Sequence, residues 1–137
     1  MNVRQWLGRA RGINREIEAK EEELQRARDA VTRITQNYES DGAQSSKDPH
    51  KFDRIVEYVD FVREKLNELY AVKTEIAFVI NQIPNSRQRV ALEKYYIGGK
   101  TWEEVAVEMH YNYSRVMDFR RAGIAAVEWI LKDRIES

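Results

Sequence analysis

A chain of 137 residues with 42% hydrophobic and 34% charged side chains, and only two prolines, fits one ordinary domain or a compact module joined to an extended helical one. It has no cysteine, which excludes disulfides and thiolate zinc sites and suits a reducing cytoplasm, and no apolar run approaches the ~18 residues of a membrane span. The 23 basic and 23 acidic side chains cancel, which weighs against a protein that coats nucleic acid by charge alone and shifts attention to where individual arginines lie.

The first predicted element is a helix over about 3–38. Arg4, Arg9, Arg11 and Arg15 all precede the first acidic residue, Glu16, so its beginning is locally basic. Gly8 and Gly12 weaken the helical propensity of its first turns. Its apolar stripe is Trp6, Ile13, Ile17, Leu24, Ala27, Val31, Ile34 and Tyr38. From Leu24 onward the steps alternate three and four, the spacing of a helix packed along its length against another. The segment Asn37 to Pro49 collects Asn, Asp, Gly, Ser and Pro, which predicts a loop at 39–48. Asp48 followed by Pro49 suits a cap with proline at the first helical position, so a second helix is predicted over 49–83.

The stripe of that second helix is Phe52, Ile55, Val59, Val62, Leu66, Leu69, Val72, Ile76, Val79 or Ile80, and Ile83, with Pro84 ending it. Two helices of roughly thirty residues, each about 45–50 Å long, joined by a short loop should fold back as an antiparallel hairpin. Val56, Phe61 and Phe78 lie off the main stripe, a surplus that suggests a further partner and is read as a homodimer.

Pro84-Asn85-Ser86 is a turn with a helix cap, and a helix is expected from Arg87 to Ile97, broken by Gly98-Gly99-Lys100. Thr101 and Glu104 form the capping-box pattern that opens the next helix, whose apolar positions are Val105, Ala106 and Met109. A break follows at His110 to Asn112. Asn112 is a second cap, and Val116, Phe119 and Ile124 resume helical spacing in a last helix running from about Tyr113 towards Ile135. Ala106 stands where the two helices would cross, which is helix-turn-helix grammar; spacing alone also allows any helical hairpin. Tyr95, Trp102, Met109, Tyr111, Val116, Phe119 and Val127 are the candidate core. The predicted fold is therefore all-α, with a long antiparallel helical hairpin at 1–83 followed by a three-helix, helix-turn-helix module at 84–137.

The run from Ile83 to Val127 also resembles region 4 of bacterial sigma factors, as it occurs in small phage-encoded regulators of late-gene transcription. The matching features are I-P-x-x-x-R-x-R-V-A-L at Ile83 to Leu92, Y-Y-I-G-G-K-T-W-E-E-V-A at Tyr95 to Ala106, and the hydrophobic Val116. The hairpin, with its Gln44 to Ser46 loop, resembles that phage and prophage group more weakly. The resemblance implies a sequence-specific binder of double-stranded DNA whose last helix enters the major groove, with RNA polymerase as a possible second partner. Asn112 matches the recognition-helix cap, and Tyr113, Ser114, Met117 and Asp118 match base-facing positions. Arg115, Arg120 and Arg121 are candidate phosphate or base contacts, Arg87 and Arg89 precede the motif, and Lys100 and Thr101 sit where a helix start meets phosphate.

Sigma region 4 usually has basic or amide side chains where Met117 and Asp118 stand. An aspartate there either accepts from a cytosine amino group or pairs internally with Arg115 or Arg121, and the internal pair is the expectation. From Pro84 onward nine basic side chains face eight acidic ones, so DNA binding must come from placement or dimerisation.

Other chemistry is not indicated. The run G-G-K-T at Gly98 to Thr101 lacks the earlier glycine of a phosphate loop, Lys94 standing in its place, and it follows a helix rather than a strand. His50 and His110 are sixty residues apart with no third ligand at metal spacing. No paired carboxylates mark a general acid and base. The sequence thus predicts a cytoplasmic, dimeric non-enzyme without cofactor, metal or small-molecule substrate. The alternatives are a module docking on RNA polymerase without touching DNA, and a small terminase-type packaging subunit, which would assemble as a ring.

Overall fold

The computed structural model describes the backbone of residues 1–41 and 50–136 and the side chains of 1–37 and 50–133. Over those residues the chain is all-α: α1 (Val3–Asp41), α2 (Lys51–Ile80), α3 (Ser86–Leu92), α4 (Trp102–Met109) and α5 (Tyr113–Glu136). The chain divides into two compact units, residues 15–70 and residues 1–14 with 71–137. The boundary expected between Ile83 and Pro84 falls inside the second of these.

The unit of residues 15–70 is a helical hairpin. Ile17, Leu24 and Ala27 of α1 and Val59, Val62 and Leu66 of α2 are buried, at the three-and-four steps of packed helices. Ala27 and Ala30 of α1 lie beside Ile55 and Tyr58 of α2 and the Tyr70 hydroxyl donates to Glu21, so α2 advances while α1 recedes, the antiparallel sense. Phe52, expected on the inner stripe, is 42% exposed. Helix α1 continues to Asp41, so residues 39–41 are helical rather than loop. The remainder of the expected loop, Gln44 to Ser46 and the Asp48-Pro49 cap lie outside the described residues.

In the other unit, α1 starts with a reciprocal cap. The Asn2 side chain accepts from the Gln5 amide at 2.8 Å and the Gln5 side chain accepts from the Asn2 amide at 3.0 Å, which fixes the first turn despite Gly8 and Gly12. Leu7 and Ala10, in the turns that follow, join Ile76, Val79, Ile80, Ile83, Leu92, Val105, Val116 and Val127 in one buried cluster. Both Val79 and Ile80 are fully buried.

Helix α2 stops at Ile80 rather than Ile83: Pro84 keeps Ile83 out of the helical region, and the chain from Ile80 to Ile83 tightens into turns with three-residue hydrogen bonds. The last carbonyls are met by backbone amides, Gln82 N–H donating to Val79 O and Ile83 N–H to Ile80 O, each at 3.1 Å, while Asn81 Nδ2 and Gln82 Nε2 donate back to Ala77 O at 2.7 Å and Phe78 O at 3.3 Å.

The helix expected over Arg87–Ile97 is regular only to Leu92. Glu93–Ile97 widens into a π turn, closed by Gly98 N–H donating to Glu93 O at 2.9 Å. Helices α3 and α5 pack against each other, and Gly123 marks their close approach, since a Cβ there would stand 2.7 Å from Leu92 Cδ1.

Candidate nucleic-acid interface

The helix-turn-helix is built from two caps and one left-handed residue. Thr101 Oγ1 accepts from the Glu104 amide and the Glu104 carboxylate accepts from the Thr101 amide, both at 3.2 Å, so the capping box opens α4. His110 then takes φ 60°, ψ 38°, the position where glycine usually ends a helix. Tyr111 N–H reaches back to Ala106 O at 3.1 Å, and Asn112 Oδ1 accepts from the Arg115 amide at 2.8 Å to start α5. Ala106 is buried, as the crossing of α4 with α5 requires, and Tyr111 packs edge-on against Phe119 with centroids 5.1 Å apart.

Helix α5 separates its residues by side. At about 100° per residue, Tyr113, Ser114, Met117, Asp118 and Arg121 fall within roughly 140° of one another. All but Met117 are exposed, and Met117 is half-buried. Val116, Phe119, Gly123 and Val127 fall on the opposite side and are buried, and Ile124, two turns beyond Met117 and in line with the exposed group, is buried as well. Arg115 lies at the margin of the exposed face with its guanidinium 5.3 Å from the Phe119 ring centroid. Asp118 pairs with Arg121 one turn away, the internal pair expected from the sequence.

Several expected contact residues are committed within the fold. Arg120 lies 5.3 Å over the Trp102 ring with its Nε buried, on the inner side of α5. Arg89 donates to Ile83 O at 2.9 Å and so ties α3 to the preceding turn. Arg87 donates to the Tyr111 hydroxyl at 2.6 Å but stays exposed. Thr101 is occupied by its cap. Lys100 lies 3.6 Å from Glu108, which also accepts from Lys94 at 3.0 Å. The Lys94 hydrogen bond, with Lys100 beside it, holds the Glu108 carboxyl below the usual carboxylate range. A phosphate at Lys100 therefore has to compete with Glu108.

Tyr95 and Trp102, both candidate core residues, form a stack whose geometry the sequence does not show. Tyr95 and Trp102 stack with centroids 4.0 Å apart and planes 10° from parallel. Arg11 covers Tyr95 at 3.9 Å and Arg120 covers Trp102, which makes a four-layer column of cation, two rings and cation. Arg11 Nη1 also donates to Tyr95 O and Lys100 O, each at 2.8 Å, and Asn14 donates to Ile97 O at 2.9 Å. The beginning of α1 thus grips both ends of the segment that leads into α4.

No protein-family model, curated protein or solved structure matches the chain. The residues that sequence reasoning passed over are Arg11 and Asn14. The only signal they gave was a basic N-terminal segment, which looked like part of the hairpin. Helical spacing places Tyr95 and Trp102 in the same core but not face to face, because the π turn that aims Tyr95 leaves no mark in hydrophobic spacing.

Proposed function

We propose that the chain is a sequence-specific, double-stranded-DNA-binding transcription regulator of the phage or prophage kind, acting as a homodimer and reading DNA with the outer face of α5. The observation that carries this is the exposed group Tyr113, Ser114, Asp118 and Arg121, standing just behind a capped turn on a helix whose inner side is locked to α3 and α4. A rigid helix with short polar and aromatic side chains projecting near its start suits the major groove. Arg115 and Arg121 are the phosphate or guanine contacts in this reading, Arg87 is a flanking phosphate contact, and Arg120 positions the helix from behind.

Selection of bound duplexes from a random pool, followed by polarisation titration, tests the proposal. A preferred sequence should emerge, and Arg115→Ala with Arg121→Ala should weaken its binding at least tenfold and lower the salt slope by about 0.9 for each phosphate no longer neutralised. Equal affinity for selected and scrambled duplexes refutes it.

One observation favours a second reading, docking on RNA polymerase or another protein. The outward side of α4 carries Glu103, Glu104 and Glu108 around Val107, which is 73% exposed. Lys94 and Lys100 offset Glu108, but Glu103 and Glu104 leave the start of α4 acidic, which disfavours phosphate there. A polymerase pull-down that survives nuclease, in a chain that selects no duplex, would support docking. A ring of eight or more chains in solution would point to packaging instead.

A further inference from the structure

Helix α1 carries a second three-and-four stripe beside the one packed against α2. It consists of Glu16, Ala19, Glu23, Arg26, Ala30 and Arg33, each one residue before a position of the inner stripe except Ala19, which precedes the half-buried Lys20, and so turned about 100° round the helix. Glu16, Ala19, Arg26 and Arg33 are exposed, and Glu23 and Ala30 are half-buried. Its middle borders an open groove of about 410 Å³, lined by Glu23, Arg26, Ala27, Ala30, Ile55 and Tyr58, where alanines leave room beside Ile55. Glu23 is held by Lys20 at 2.9 Å and by the Tyr58 hydroxyl, while Glu16, Arg26 and Arg33 make no ion pair among the described residues.

The order of these residues is self-complementary. When the stripe is laid against a reversed copy of itself about a point between Leu24 and Gln25, Glu16 meets Arg33, Ala19 meets Ala30, and Glu23 meets Arg26. A two-fold axis repeats each of these pairs, giving four opposite-charge contacts flanking two places where small side chains let the helices approach. A parallel copy in register would put like charge on like charge. We propose that this stripe is the homodimer face, occupied by the α1 helix of a second copy of the chain in antiparallel register. The assignment deepens the dimeric reading of the preceding subsection and does not depend on DNA.

Sedimentation equilibrium of the full chain without DNA tests it by charge reversal. A chain with Glu16→Arg and Glu23→Arg has an all-positive stripe, and one with Arg26→Glu and Arg33→Glu has an all-negative stripe. Each alone should dimerise at least tenfold more weakly than the unaltered chain, and an equimolar mixture should regain the dimer mass. Cross-linking gives a test independent of charge. The chain has no cysteine, so an Ala19→Cys chain mixed with an Ala30→Cys chain should form an interchain disulfide on mild oxidation, more readily than either variant alone. A dimer insensitive to both reversals, or a mixture that neither reassociates nor cross-links, overturns this face, and the dimeric regulator would then have to assemble through another. An unaltered chain that stays monomeric overturns both the face and the dimeric assembly.

Discussion

Replacing Arg11 by methionine keeps the apolar stem and removes only the guanidinium, which isolates what that group contributes. It donates to two main-chain carbonyls at 2.8 Å and lies 3.9 Å over the Tyr95 ring. A hydrogen bond from a charged donor contributes about 1.5–3 kcal/mol when well buried, and a cation–π contact about 0.5–1 kcal/mol at a partly open site. Arg11 is half-buried, so water partly re-solvates the two carbonyls and the total destabilisation should be about 2–4 kcal/mol. For a chain of this size that is a fall of roughly 10 °C in Tm, read by circular-dichroism melting. The near-UV signal of the Tyr95–Trp102 stack should weaken in the same variant. Arg11→Lys should recover less than half of the stability, because a single ammonium cannot match the planar fork. If Arg11→Met melts within about 2 °C of the unaltered chain, the effect of a neutral surface substitution, the column is not what joins α1 to the helix-turn-helix.

Three further outcomes follow from the same packing. A fragment of residues 84–137 lacks Leu7, Ile76, Val79, Ile80 and Ile83, whose burial contributes on the order of 10 kcal/mol at most, so it should show little cooperative thermal unfolding while the full chain unfolds sharply. His110→Gly should raise stability by about 1 kcal/mol in a urea titration, because glycine takes the left-handed conformation without the Cβ penalty; a decrease would mean the imidazole has a role of its own. Burial pushes the Tyr96 hydroxyl above its ordinary value of 10.0, so on raising the pH the unfolded chain ionises first. The stability that follows from this shift is whole below pH 10.0 and disappears as pH rises through the folded value, and in Tyr96→Phe that part of the alkaline decline should be absent.

The helical hairpin was legible because its buried positions repeat at three and four, a signal that survives in one sequence. Both caps of the helix-turn-helix were legible too, since Thr101 with Glu104 and Asn112 act on neighbours three residues away. What stayed hidden involves contacts distant in sequence. Arg11 meets carbonyls more than eighty residues ahead, and nothing local distinguishes it from Arg4 or Arg15. Arg120 and Arg121 are adjacent and chemically alike, yet the turn of the helix sends one onto Trp102 and the other to Asp118. Spacing could assign them to different sides only once the phase of α5 against α3 was known.

DNA reading by the outer face of α5 is tested most directly by titrating a selected duplex with the unaltered chain, Arg121→Ala and Asp118→Asn at several salt concentrations. Asp118 both neutralises Arg121 and presents a negative charge on the α5 face. Asp118→Asn should therefore bind more tightly and show a steeper salt dependence, by up to about one phosphate contact, while Arg121→Ala should bind at least fivefold more weakly. If neither substitution changes affinity or salt slope, the outer face of α5 does not meet DNA.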